Sequence, residues 1–387
     1  MLFAPVTAKL FVMSNSEKSA IELLKISLGT AGLTEMSHTP TEQEWLEIYD
    51  FANRQAITGV LFSGVEVISE SSNPASQCQM PPKSLVMKWL AQVIAIRNYN
   101  EVLNQECRKW TEYFENKSFR TCILKGQSNA RLYPEKIVRN AGDIDILVID
   151  PKAEDAFESR RNIINAVRVI WPSCVVQYHH IEIPPVNGIP VEIHYLPVVA
   201  FSFFNNRRLQ RYFWKHRNGC ISNSKGFFDY DPQANLIFQM YHIFKHLIIE
   251  GVGLRQVIDY FFLLKSTSRE DRDAAASHLQ NFDLKRFAGA LMYVLQQCCG
   301  LEDDYLLVQP NQKIGKYFLD EIFRGGNFGR FDRRYDKKAG GRIHNLLMIT
   351  RVALRNFRYF PIESIQSPLS RAVSIFWQKK NGYNLKH

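Results

Sequence analysis

The sequence predicts an α+β fold: a small mixed β-sheet with helical regions before and after it in the chain. Three observations carry that prediction. Apolar residues recur at helical spacing from about residue 16 to 115, period-two alternation replaces them between about 118 and 200, and helical spacing returns after Phe201. The expected organisation is an N-terminal helical region over 1–117, an αβ core over 118–200, and a C-terminal helical region with a basic tail over 201–387.

In the first region Ser16 is a suitable N-cap for the apolar stripe that follows it, and Thr41 with Glu44 forms a capping-box pattern. Trp45, Ile48, Tyr49 and Ala52 then fall on one helix face. Residues 69–82, rich in Ser, Asn and Gln and containing prolines, read as a loop. A long helix is expected over 83–114, with Leu85, Trp89, Leu90, Val93 and Ile96 inward. Nothing here has catalytic character, and a scaffold is the expected role.

In the core, residues 122–124 predict a short strand running into Lys125 and Gly126. A second strand is expected over 143–149, a helix over 154–170, and an alternating strand over 175–183. Pro184, Pro185, Asn187 and Gly188 make a turn into the return strand over 190–195, which has Val191 and Ile193 on one face and Glu192 and His194 on the other. Farther on, Asp231 and Pro232 mark a capped helix start, and Gly251 and Gly253 interrupt the helical pattern before Leu254.

At 387 residues and 46% apolar content the chain is long and apolar enough for a substantial core, which excludes a disordered protein. No apolar run reaches the length of a membrane span. The apolar start, with Lys9 inside it and no basic leader, reads as a docked or frayed terminus, a secretory signal being the lesser alternative. Seven scattered cysteines without a CxxC motif fit reduced thiols and a cytoplasmic location. Residues 321–387 hold 14 Lys/Arg against 4 Asp/Glu, a surplus of ten that equals the whole net charge of +10. Such a surface favours phosphate-bearing partners, nucleic acid included, and is equally compatible with solvated helix faces.

The chemistry centres on Asp143-Ile144-Asp145. A strand puts both carboxylates on one face, where they repel unless a cation lies between them, and Mg²⁺ suits hard oxygen ligands shared with phosphates. Two ions are expected, with Mn²⁺ as the alternative metal. A third carboxylate from a neighbouring strand completes such a site. Glu192 is favoured and Glu182, on the other arm of the hairpin, is its rival. Lys125 and Gly126 offer a charge and a close backbone approach to phosphate.

Together, Leu124-Lys125-Gly126, Leu132-Tyr133-Pro134, Arg139 and the strand from Asp143 to Val148 resemble the uncharacterised nucleotidyltransferase family of the DNA-polymerase-β-like superfamily. Glu192-Ile193-His194 resembles its third acid and following histidine. His242, His246 and the Gly251-Val252-Gly253-Leu254-Arg255 segment with Asp259 resemble its helical block. The likeness spans about residues 123–260. It implies a palm-like nucleotidyltransferase core that moves a nucleoside monophosphate (NMP) from a nucleoside triphosphate (NTP) to an acceptor with Mg²⁺. That acceptor is a sugar, a metabolite, a protein hydroxyl or an RNA end. The chain departs from the wider superfamily in its glycine loop, where Gly126 is followed by Gln127 and only then by Ser128.

On this reading Asp143, Asp145 and Glu192 hold the metals, and Lys125, Gly126, Ser128, Arg139 and Arg255 are the phosphate-side candidates. The simpler reading of Arg255 and Asp259 is an ordinary i, i+4 helix pair. His194, His242, His246 and Asp259 are candidates for the pocket. His242 and His246 have a spacing that can bind zinc, but no further ligand stands nearby in sequence. Alternation turns one of His179 and His180 inward, which reads as a packed core histidine, and Phe328 with Tyr335 among arginines reads as a stacking surface for nucleic acid, a basic lid or an ordinary surface. The rival classes are a non-catalytic palm-like protein that binds an anionic ligand or nucleic acid through the basic tail, and a helical adaptor.

Overall fold

A computed structural model describes residues 12–334 and 350–383 apart from 31, 72, 74–77 and 353. Tyr335 and the start of the chain lie outside the described residues.

Helix α1 (Asn15–Leu28) is capped by Ser14, whose hydroxyl accepts from the Glu17 amide while Glu17 returns to the Ser14 amide. The cap therefore stands two residues before the expected Ser16, which is buried beside it and shares a hydroxyl contact. Thr41 and Glu44 form the expected capping box of α2 (Glu42–Gln55). Helix α3 (Thr58–Glu70) is buried along most of its length, and α4 (Lys83–Glu115) runs almost as predicted.

The sheet is built from β1 (Arg120–Ile123), β2 (Ile144–Ile149), then, after helix α5 (Ala156–Ile170), β3 (Val175–Val176), β4 (His180–Glu182) and β5 (Val191–His194). After α6 (Phe203–Lys215) two short strands, β6 (Ile221–Ser222) and β7 (Phe228–Asp229), join its other side, giving the order β3-β4-β5-β2-β1-β7-β6. Residues 175–183 are not one strand. β3 and β4 pair antiparallel with each other, the Gln177 amide donating to the His180 carbonyl across the bend. That bend has neither Gly nor Pro, so the sequence carried no punctuation for it.

Alternation sorts the sheet's two faces. Ile144, Ile146, Val148, Val191 and Ile193 pack with α5 and with Leu103 and Trp110 of α4. Cys122, Leu147 and Ile149 face the opposite way, into a larger core that joins α1–α3 to the C-terminal helices. Asp145 shares this second face by its odd-numbered position.

The C-terminal helices include α7 (Pro232–Ile249), α8 (Leu254–Ser266), α9 (Arg269–His278), α10 (Lys285–Cys299), α11 (Gln312–Gly325) and α12 (Pro361–Lys380). Asp231 caps α7 with Pro232 in its first turn, as expected. Part of the basic tail is consumed internally: Arg334 and Arg355 both pair with buried Glu321 and Asp332. The seven cysteines are unpaired, and among the described residues no helix is long and apolar enough to cross a membrane.

Candidate active site

Strand register assembles the acids. β2 and β5 run parallel with Asp145 opposite Glu192, and β5 runs antiparallel to β4 with Glu192 opposite Glu182 and His194 opposite His180. One row across three strands therefore carries three carboxylates on the face turned toward α7. The next row carries His194 and His180. Asp145 is almost fully buried, whereas Asp143, just ahead of the strand, is 39% exposed.

A cation already stands between the two aspartates. The Lys125 Nζ lies 2.7 Å from Asp145 Oδ2 and 3.7 Å from Asp143 Oδ1. Lys125 is put there by β1, whose end is fixed when the Leu124 amide donates to the Asp145 carbonyl. Gly126 then turns the chain at φ +64°, its Cα facing the Asp143 carbonyl so closely that a Cβ would sit 3.3 Å from that oxygen. Only glycine adopts this conformation without strain.

On the other side of Asp145, His194 Nε2 is 3.1 Å from Asp145 Oδ1 and 3.4 Å from Glu192 Oε2. Burial opposes the charge of Asp145, but the Lys125 ammonium and the His194 hydrogen bond outweigh it and hold the carboxyl below its usual range. Glu192 is likewise opposed by burial and brought down to about 2, chiefly by His194 and His180. Burial pulls His194 down, yet its bonds to Asp145 and Glu192 push it up to about 9. Asp145, Glu192 and His194 offer ligand atoms within 4.8 Å of one another. Hard carboxylate oxygens, with an ammonium already lodged between two of them, fit a divalent cation.

Beside the acids opens a cleft that Lys125, Gly126, Asp143, His242, Arg255 and Phe328 help to line. Arg255, at the start of α8, is buried and donates to the Ala141 carbonyl at 3.2 Å. Its Nε has no partner, and burial and the neighbouring Arg139 lower its pKa. It does not pair with Asp259. Asp259 instead receives a two-pronged bond from Arg139, 2.7 Å at each prong, and a third from the Tyr133 hydroxyl. Arg139 thus lines the cleft but is held as a pin between the loop before β2 and α8. Ser128 is not brought to the cleft: its hydroxyl donates to Asp229 on β7.

His242 and His246 share a 2.9 Å Nε2 to Nε2 contact, and His246 also bonds Glu250. His242 lines the cleft, and burial keeps it neutral by lowering its pKa. Gly251 and Gly253 pack directly on the 327–329 turn, where a Cβ on either would meet backbone at 2.8 Å. This contact carries Phe328 over the cleft, 5.5 Å from the Arg255 guanidinium and 5.1 Å from the His246 ring. Phe328 is therefore a cleft wall, held at φ +56°, a costly conformation for a bulky residue.

Sequence reasoning singled out Phe328 without the cleft it covers, and it missed Asn129 and Gln239, which bond each other reciprocally in the cleft wall. A signal for Gln239 existed: it is a polar residue on an otherwise apolar helix stretch. The place of Phe328 over the cleft comes from a tertiary contact.

A model of a family described as uncharacterised nucleotidyltransferase matches residues 41–300, more than half of the chain. Among solved structures, an antigenic nucleotidyltransferase-like protein from Paracoccidioides brasiliensis overlaps 46% of this chain and 88% of its own. Its identity is 16% and its TM-score 0.29, so it carries no structural argument. A search of curated proteins found no match. On the family match, this chain belongs to the uncharacterised nucleotidyltransferase family and is a nucleotidyltransferase.

Proposed function

We propose that the protein moves an NMP from an NTP to an acceptor hydroxyl, using Mg²⁺ held by Asp143, Asp145 and Glu192. The observation that carries this reading is the Lys125 ammonium lodged between Asp143 and Asp145, beside Glu192 and at the edge of the Arg255 cleft. In the transfer the acceptor oxygen bonds to the α-phosphorus, the bond from that phosphorus to the bridging oxygen breaks, and pyrophosphate leaves with the electron pair. The hydroxyl proton passes to a carboxylate of the acid row, for which Glu192, 30% exposed, is the accessible choice. A divalent cation at the acids would supply charge neutralisation of the triphosphate and a lowered pKa for the acceptor hydroxyl.

The remaining roles belong to the chain's own groups. Arg255, buried without a carboxylate partner among the described residues, suits the charge of a triphosphate. Lys125 neutralises the acids and, lining the same cleft, reaches its phosphate side, with Gly126 leaving room for close backbone approach. His194 holds Asp145 and Glu192 in place.

The test pairs binding with activity. Thermal melting with each NTP should show stabilisation only when Mg²⁺ is also present, and labelled NTP should transfer label to a component of a cell extract. Asp143→Asn with Asp145→Asn should remove both while leaving the fold intact. Undiminished transfer by that variant would sink the proposal, and salt-sensitive polyanion binding without any Mg²⁺-dependent NTP effect would favour a non-catalytic anion binder.

A further inference from the structure

The acid row continues past Glu192. Glu182 of β4 stands directly opposite Glu192 of β5, and two like charges in that position repel. At this end of the row an imidazole faces both carboxylates, as the Lys125 ammonium faces both aspartates at the other. His180 Nε2 lies 3.3 Å from Glu182 Oε1 and 3.8 Å from Glu192 Oε2. The three side chains offer one nitrogen and two oxygens within 4.8 Å of one another.

These separations suit a ligand shell better than a hydrogen-bonded cluster. Hydrogen bonds from N–H to oxygen run about 2.7–3.2 Å. Two donor atoms each about 2.0–2.1 Å from a tetrahedral cation stand about 3.3–3.4 Å apart. The His180–Glu182 pair already has that spacing, and the Glu192 pair needs only a small movement of a part-exposed side chain.

The set also has outer support. His179 Nε2 lies 3.1 Å from His180 Nδ1, so a cation on the His180 Nε2 leaves the ring proton on Nδ1 for donation to His179. The Gln177 amide nitrogen is 3.4 Å from Glu182 Oε1, and its own amide oxygen accepts from buried Gln378 of α12 at 3.1 Å. Ligating imidazoles and carboxylates are held by such second partners, which fix ring and carboxylate orientation. One imidazole with two carboxylates suits Zn²⁺, which takes three protein ligands and a water. Mg²⁺ prefers oxygen throughout, and it competes poorly where nitrogen is in the set.

We propose that His180, Glu182 and Glu192 form a second cation site, which takes Zn²⁺ and leaves its fourth position to water. Glu192 is shared with the Mg²⁺ reading given above, but the site does not rest on NMP transfer.

Calorimetry on the full chain tests it, with Zn²⁺ titrated in excess Mg²⁺ and Co²⁺ as a coloured substitute. Zn²⁺ should bind despite the Mg²⁺, and Co²⁺ should give the visible absorption of a low-coordinate site. Kd should rise in Glu182→Gln and in His180→Gln by more than the about tenfold that loss of an outer partner costs. Glu182→Gln keeps the shape of a part-exposed side chain and removes one of two facing charges, so it does not threaten the fold. The Asp143→Asn, Asp145→Asn variant should bind Zn²⁺ as the wild type does. Absence of Zn²⁺ binding in excess Mg²⁺, or a Kd that neither Glu182→Gln nor His180→Gln changes, overturns the site. So does binding that is lost in the double aspartate variant and indifferent to Glu182→Gln, since the ion then sits on Asp145, Glu192 and His194. Failure of the NMP-transfer reading would look different: Zn²⁺ affinity would still respond to Glu182 and His180, while no label moved and Mg²⁺ with NTP gave no stabilisation.

Discussion

At the scale of single residues, Lys125 neutralises the acids by standing between Asp143 and Asp145. Asp145 is almost fully buried, and removing its ammonium partner leaves a buried charge uncompensated. Lys125→Ala should therefore destabilise the metal-free protein by about 3 kcal/mol, and Mg²⁺ should restore more stability to the variant than it adds to the wild type. Melting curves with and without Mg²⁺ measure both. Arg139 is a second residue whose chemistry is specific. Its two 2.7 Å bonds to Asp259 need a planar fork, which lysine lacks. Arg139→Lys should cost about 2–3 kcal/mol, read as a lowered midpoint in urea with an unchanged slope. A variant as stable as the wild type would show that the pair contributes nothing.

At the scale of elements, the parallel pairing of β2 with β5 makes the site, because that register sets Asp145 against Glu192 and lets His194 reach both. Period-two alternation made this row legible in the sequence: Asp145, Glu192 and His194 could only share a face if the two strands were neighbours. The β3–β4 bend was not legible, since the alternation of residues 175–183 fits one strand as well as two. Helix α12 supplies a prediction of its own. Glu363 in its first turn is buried with Oε1 unbonded, and burial raises its carboxyl from 4.5 to about 7. The folded state therefore holds this proton more tightly than the unfolded chain does. Its contribution to stability is present at low pH and is lost as pH rises from about 4.5 through 7. Glu363→Gln should match the wild type near about pH 5 and exceed it by about 2 kcal/mol near about pH 8. Thermal melts at the two pH values decide it.

At the scale of the whole molecule, the sheet cannot be separated from its helices. Cys122, Leu147 and Ile149 pack into the core shared by α1–α3 and the C-terminal helices, and β6 and β7 enter the sheet from beyond residue 200. A fragment cut to residues 118–200 should remain unfolded, with a random-coil circular dichroism spectrum and no cooperative melt; a cooperative transition would refute this. The sequence by itself determined the α+β class, the helix starts at Thr41 and Asp231, and the acid pair with Glu192 and His194. Each of these follows from local spacing or from side-chain chemistry within one short segment. Tertiary structure alone decided which cations stayed available. Arg139 and Arg255 look alike in sequence, but Asp259 takes the first and leaves the second facing the cleft. It also sent Ser128 to Asp229 and carried Phe328 over the cleft through the contact of two glycine turns far apart in the chain. Such outcomes depend on which groups meet across long sequence separations, and local periodicity holds no record of those meetings.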